Sequence, residues 1–330
     1  MNSVTETDGA RRKRSPLTGF LTEGAVLIVL IYLILYAINV WQQPRAWSFG
    51  AFANLVNNAV PLALAAAGQT LVILSRGFDL SLAGVVSLTN VVMAAYPLQG
   101  PGGALVSLLI CLGIGAVVGV VNGWLVAVLR LQAIAATLAT MIICQGIALV
   151  ILDAPGGMVA DWVSYELTDR LWGVVPVSGL ITLAVIAIWM VLRRTDWGVA
   201  LYAIGADEQA ARLSGVPVAR VRFLAFVGAG MVYGLAGYML SAQTATGNPN
   251  AGAPLLMLAF AAVALGGTSF SGGKGGVFAS IIGAATLMLL QKVLFSSGVA
   301  SFYTGIFQGV VLILAIVFSG LLASIGRRGA

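Results

Sequence analysis

The stretch Ala104-Leu105-Val106-Ser107-Leu108-Leu109-Ile110-Cys111-Leu112-Gly113-Ile114-Gly115-Ala116-Val117-Val118-Gly119-Val120-Val121-Asn122-Gly123-Trp124-Leu125-Val126-Ala127-Val128 carries no charge, and Arg130 follows almost at once. Bilayer hydrocarbon is about 30 Å thick and a helix rises about 1.5 Å per residue, so about 20 apolar residues span it. This run is long enough, and a cation just past its end suits a cytoplasmic boundary. Outward from it, apolar runs recur near 19–40, 51–75, 80–97, 133–152, 173–192, 221–241, 255–270, 276–294 and 302–324. The expected class is therefore all-α: a polytopic, multi-pass inner-membrane protein of about ten transmembrane helices.

Composition agrees. Of the 330 residues 60% are hydrophobic and only 8% charged, far less charge than a soluble domain of this length would carry on its surface. The +6 balance does not mark a nucleic-acid partner, because the basic residues sit at segment ends and form no patch. Histidine is absent, which removes the commonest general base and metal ligand. Cys111 and Cys144 lie inside apolar runs without ligand-like spacing and read as packing residues.

Orientation follows from the cations. Arg11-Arg12-Lys13-Arg14 precede a full-length apolar run ending in Trp41, without an Ala-x-Ala cleavage site, so the run reads as an uncleaved first helix with its tail inside. With that start, Arg11, Arg12, Lys13, Arg14, Arg76, Arg130, Arg193, Arg194, Arg212, Arg220, Arg222, Lys274, Arg327 and Arg328 fall inside, and Arg45, Arg170 and Lys292 outside. That is 14 against 3, and gaining or losing one span would scramble it. The expected layout is a basic cytoplasmic tail over 1–18, a membrane domain over 19–324 and a cytoplasmic tail over 325–330. Two connections exceed a tight turn: an outer, periplasmic one near 153–172 and an inner one near 193–220.

The inner connection contains Asp207-Glu208-Gln209-Ala210-Ala211-Arg212-Leu213-Ser214-Gly215-Val216-Pro217. Acids favour a helix N-terminus, Arg212 the last turn and Gly215 the left-handed position past the end, and Pro217 blocks continuation. So short a helix is marginal alone and needs a partner to pack against. A cytoplasmic motor with a complementary groove would supply one.

Three motifs carry a resemblance. Trp197-Gly198-Val199-Ala200-Leu201-Tyr202-Ala203-Ile204-Gly205 with Ala210-Ala211-Arg212-Leu213-Ser214-Gly215-Val216 resembles the coupling loop of ribose/xylose/galactose-type ABC importer permeases. Gly77-Phe78-Asp79-Leu80-Ser81 is similar to that family's Gly-Ile-Asp-Leu-Ser signature, and Leu265-Gly266-Gly267-Thr268-Ser269-Phe270-Ser271-Gly272-Gly273-Lys274-Gly275 to its Leu-Gly-Gly-Thr-Ser-x-x-Gly-Gly-x-Gly signature. The likeness covers nearly everything after residue 50. It implies a transport subunit with no ATPase site of its own, moving a monosaccharide or related polyol. It also implies ATPase subunits that hold ATP and Mg, a periplasmic sugar-binding protein and a second permease, identical or sister. This chain itself would bind no cofactor. Asp207, Glu208, Arg212, Leu213 and Gly215 would couple to the ATPase.

The chain departs from the pattern in places. Arg76 stands for the signature's leading Gly, Ala133-Ile134 for a Pro-Phe pair and Gln145 for a common Arg, and Leu256 and Leu258 replace an acidic pair. These changes leave the architecture alone and bear on the substrate.

Polar residues inside spans face a bundle interior or a wet path. Asn54, Asn58 and Gln69 share one face of the second span, and Asp79, Ser81, Asn90, Asn122, Thr137 and Gln145 lie further along. All nine are candidates for a translocation path or gate, since neutral amides suit sugar hydroxyls, with interhelical hydrogen bonding as the alternative. Asp79-Leu80-Ser81 also fits a helix N-cap, with Arg76 near enough to pair with it. Gly113, Gly115, Gly119, Gly228, Gly230, Gly234 and Gly237 form small-residue faces for close helix contact.

Gly272-Gly273-Lys274-Gly275 is not a phosphate loop: Thr268 and Gly275 break the required pattern. Gly77-Phe78-Asp79 and Gly252-Ala253-Pro254, each opening a helix, hint at inverted five-helix repeats. Two other readings stay open: a branched-chain amino-acid-type ABC permease, and an ion-coupled secondary transporter, for which Asp79 is the sole buried carboxylate on offer.

Overall fold

The computed structural model describes residues 23–299 and scattered positions up to 313. Both tails, and the expected tenth span apart from those scattered positions, lie outside the described residues. The other nine expected spans coincide with helices: α1 (Glu23–Gln42), α2 (Phe49–Leu74), α3 (Ser81–Ala95), α4 (Gly100–Gly123), α5 (Ala133–Ile151), α7 (Val177–Leu192), α10 (Val218–Thr244), α11 (Gly252–Leu265) and α12 (Val277–Ser296). Short helices α6 (Asp161–Glu166), α8 (Asp196–Ala206) and α9 (Glu208–Leu213) occupy the two long connections. Among the described residues, five helices are individually long and apolar enough to cross a membrane: α2, α4 with its π-helical extension Trp124–Val128, α5, α10 and α12. The fold is that of an all-α, multi-pass membrane protein. Its described strands are two residues each, Arg170–Leu171 (β1) paired antiparallel with Val175–Pro176 (β2).

Helix α2 is the central rod, buried without interruption from Ala59 to Leu74. Helix α10 lies against it and against α4 and α3. The expected small-residue faces explain the α4–α10 contact. A Cβ on Gly115 would run into the carbonyl of Gly230, and one on Gly234 into that of Cys111, so the two backbones touch. Gly119 meets the Phe226 carbonyl in the same way, whereas Gly113 faces open space and belongs to no contact.

Helices α3 and α11, 15 and 14 residues long, are too short to cross about 30 Å of hydrocarbon at about 1.5 Å per residue. Non-helical backbone adjoins each: residues 75–80 before α3, and residues 266–276 after α11. Buried irregular backbone is tolerated at depth only where its polar groups are satisfied internally. Here the Thr268 hydroxyl accepts from Gly276 N at 3.2 Å and sits 3.3 Å from Ser280 Oγ, which in turn accepts from Thr70 Oγ1 at 2.7 Å. The sequence reading extended the eighth span through 270. It ends at Leu265 because Gly266, Gly267 and Gly272 take over, the last two with positive φ.

Candidate functional site: a coupling loop and two polar networks

The inner connection is more elaborate than the expected single helix. Thr195 caps α8, its hydroxyl accepting from Gly198 N at 3.4 Å, and α8 turns away from α7 by 81°. Asp207 ends α8 and caps α9, its carboxylate accepting from Gln209 N and Ala210 N at 2.9 and 3.0 Å. Gly215, at φ +83°, terminates α9 as expected, with its N–H bonded to the carbonyl of Arg212.

This loop is fastened to the bundle at several points. Glu208 bridges Arg212 at 2.9 Å, one turn along α9, and Arg222 at 2.8 Å, in the first turns of α10. The hydrogen bond from Arg222 leads the effects that hold the Glu208 carboxyl below its ordinary pKa, with Arg212 adding to it against the opposing cost of burial. Arg222 also donates to the carbonyl of Ser75 at the end of α2 (3.1 Å). Arg76, at φ +62°, reaches the last carbonyls of α8, donating from Nε to Gly205 (2.9 Å) and from Nη2 to Ala206 (2.7 Å). Cations beside a helix C-terminus satisfy its free carbonyls. Arg76 therefore does not pair with Asp79, as the sequence had suggested, because α8 offers it a better acceptor.

The third motif arrives at the same place. Gly273 N donates to the carbonyl of Leu74 at 3.1 Å, and Tyr202 Oη to the carbonyl of Gly275 at 2.8 Å. A Cβ on Gly205 would overlap both the Leu74 carbonyl and Gly273 N. Segments 74–81, 197–216 and 265–275, far apart in sequence, thus meet at one end of α2. Against this anchored frame, Leu213 stands out on α9 with 84% of its surface exposed.

Just inside lies the first polar network. The Asp79 carboxylate accepts from Ser81 N (2.9 Å) and Ser81 Oγ (2.6 Å), Asn122 donates to Ser81 Oγ (2.9 Å), and Thr140 donates to Asn122 Oδ1 (2.8 Å). Thr137 accepts from Leu80 N at 3.0 Å. Asp79 caps α3 from one residue outside the N-cap position, which Leu80 occupies in helical geometry. Four expected path residues, Asp79, Ser81, Asn122 and Thr137, are thus brought together across α3, α4 and α5.

The remaining five divide. Gln69 is fully buried and accepts from Tyr233 Oη at 2.8 Å, a contact between α2 and α10. Asn54 and Asn58 lie exposed near the start of α2, Asn58 accepting from Gln243 of α10. The shared face expected for the three is real as helical spacing, but its ends sit in different surroundings. Asn90 donates to Ser241 (2.9 Å) and to the carbonyl of Thr246 (3.1 Å), and accepts from Asn248 N (2.7 Å); Gln145 donates to Asn250 (2.7 Å). These form the second network, around the connection from α10 to α11. Asp79 Oδ2 and Gln69 Nε2 have no hydrogen-bond partner among the described residues.

The contacts of Arg222 and Tyr202, and the approach of Gly205 to Gly273, were not foreseen in the sequence. The signal for Arg222 is faint: an acid and a base 14 residues apart, brought together only because α10 folds back beside α9.

A bundle of apolar helices with a short loop helix fastened to the central rods is the architecture of a multi-pass membrane protein. The chain matches the family described as "Branched-chain amino acid transport system / permease component" over residues 51–316 and belongs to it. It is 34% identical to the ribose import permease protein RbsC of Escherichia coli (strain K12) over 321 residues, 95% of this chain and 98% of that one. It is 32% identical to the autoinducer 2 import system permease protein LsrC of Yersinia enterocolitica (91% and 83%), and 28% identical to the fructose import permease protein FrcC of Rhizobium meliloti (88% and 84%). No solved structure matches the chain.

Proposed function

We propose that this chain is the permease subunit of an ATP-binding-cassette importer and moves a monosaccharide or related polyol across the bacterial inner membrane. The names of the relatives, which concern ribose, fructose and autoinducer 2, support that solute class. In this reading about ten helices span the membrane, both termini and α9 are cytoplasmic, and ATP and Mg are handled by separate ATPase subunits. A periplasmic sugar-binding protein delivers the solute and a second permease subunit completes the path.

The single observation that carries the mechanism is the exposure of Leu213 on a helix otherwise anchored by Arg222 and the α8 contacts. An apolar side chain held out on a braced helix is a knob for a partner's groove. Closure of the ATPases below would push that knob. The Glu208–Arg222–Ser75 and Arg76–Gly205 links would carry the displacement to the ends of α2 and α10. Glu208 thereby acts as a brace rather than a free docking charge, and a charge reversal there would disturb the loop itself. Along the path, Asp79 Oδ2 and Gln69 Nε2 are spare polar groups that would gain a partner in another state of the cycle.

The test is Leu213→Asp in the assembled importer with its ATPase and binding protein. Sugar uptake should fall about tenfold or more, the loss of one interface hot spot, while the permease melts at the same temperature as wild type. Normal uptake would remove α9 as the coupler. Uptake or ATP hydrolysis stimulated by leucine rather than by a sugar would reassign the solute to the other class in the family description.

A further inference from the structure

At the end of the bundle opposite α9, a cavity of about 890 Å³ opens between α1 and α7, with α2 and α12 as its floor. Its walls are apolar, including Leu55 and Ala59 of α2, Leu183 of α7 and Leu289 of α12. Its rim is aromatic: Tyr32 stacks on Tyr36 at 6.4 Å between centroids, and Tyr36 tilts against Trp47 at 6.3 Å. Trp47, in the turn between α1 and α2, suits the headgroup level of a bilayer, whereas Tyr32 lies halfway along α1.

Around this mouth gather the three cations that break the charge asymmetry of the chain. Arg45 lies in the turn Pro44–Trp47, two residues from the rim Trp47. The Arg170 guanidinium lies over Gly50, and β1 pairs it with Pro176 in the cavity wall. Lys292 follows Leu289 by one turn of α12, whose end is tied to the α1–α2 corner by Gln43 Nε2 donating to Ser296 Oγ at 3.1 Å. The two ion pairs among the described residues are both at the α9 end, so neither Arg45 nor Arg170 has an acidic partner among them.

We infer that this cavity is a binding site for an anionic phospholipid, with an acyl chain between α1 and α7 and the phosphate between Arg45 and Arg170. The complementarity is twofold: an apolar slot, and beside its mouth two cations that form no ion pair among the described residues, although Asp169 adjoins Arg170 in sequence. Polar-zone cations held against the positive-inside trend are then explained by what they bind.

The full chain, purified in mild detergent from vesicles of phosphatidylethanolamine with phosphatidylglycerol, should retain phosphatidylglycerol selectively in native mass spectra. Arg45→Gln with Arg170→Gln should lower that retention about tenfold or more. The double Lys variant should keep it, and Ala285→Phe, which fills the slot, should lose it. Equal retention by the double Gln variant, or retention of phosphatidylethanolamine as strong as of phosphatidylglycerol, would overturn the assignment. A photo-crosslinker at position 183 of the otherwise native chain reads the occupant directly. Adducts with lipid support the site; adducts with a second copy or with residues 300–324 of the same chain refute it.

Discussion

At the α9 end, Gly205, Gly273 and the carbonyl of Leu74 meet backbone to backbone; at the opposite end Gly156 pairs with Gly247 through the backbone, and Asn58, Asn90 and Gln145 add side-chain amide bonds. Backbone contact as close as that of Gly205 leaves no room to shift, because packed interiors are not continuously deformable. Of these amides, Asn58 and Gln145 are exposed enough to exchange their partners for water or for a hydroxylated solute at small cost, whereas Asn90 is buried. On the proposed function, the α9 end would transmit force and the other end would open. The close contact also explains why the family motifs cluster where they do: all three converge on the rigid end.

The strongest way to break this contrast is Gly205→Val. Its side chain would occupy the space of the Leu74 carbonyl and Gly273 N, and overpacking of this kind costs about 1–3 kcal/mol or more. The expected outcome is loss of folded protein, or a melting temperature well below wild type, in a thermal scan of the purified permease. A melting temperature equal to wild type would mean that the three segments are not locked together.

Glu208 offers a gentler probe. Its folded-state pKa is depressed, so the stability that it supplies is present above the ordinary glutamate range and is lost as pH falls through the lower folded value. Protease resistance of the 193–220 loop should therefore weaken on acidification from the mid-acidic range downward. Glu208→Gln should show a weaker loop at neutral pH and a flatter acid profile. Parallel pH profiles for the two proteins would remove the Arg222 brace from the account.

The smallest effect is expected at the other end. Gln145→Ala removes one half-exposed bond between α5 and the α10–α11 connection, and even bonds between helices average only about 0.6 kcal/mol in membranes. The melting temperature should barely move, while the apparent affinity for transported solute changes if the second network lines the entrance. A large destabilisation would make this end as rigid as the first.

Much of this was legible from residues alone, and the reason is local. The run Ala104–Val128 needs nothing beyond its own apolarity to be a span. Gly115, Gly119, Gly230 and Gly234 show their contact through helical spacing. Asp207, Arg212 and Gly215 mark the two ends of α9 by capping chemistry that operates within six residues of chain. Other features depend on tertiary neighbours and left little trace. Gly205 looks like any helical glycine until Gly273 is placed against it. Arg76 could reach Asp79 or α8, and only the path of the chain after α7 decides for α8. The end of α11 at Leu265 was missed because glycines, and not a charge or a proline, stop the helix.

The most direct test of the central claim, that α9 is a cytoplasmic knob braced on α2 and α10, is accessibility at Leu213→Cys. Cys111 and Cys144 are buried, so an impermeant maleimide reports on the new thiol alone. Labelling is expected in inside-out vesicles and not in intact cells, and it should be blocked when the ATPase subunit is bound. Labelling from the outside of intact cells, or labelling unaffected by the ATPase, would contradict the account.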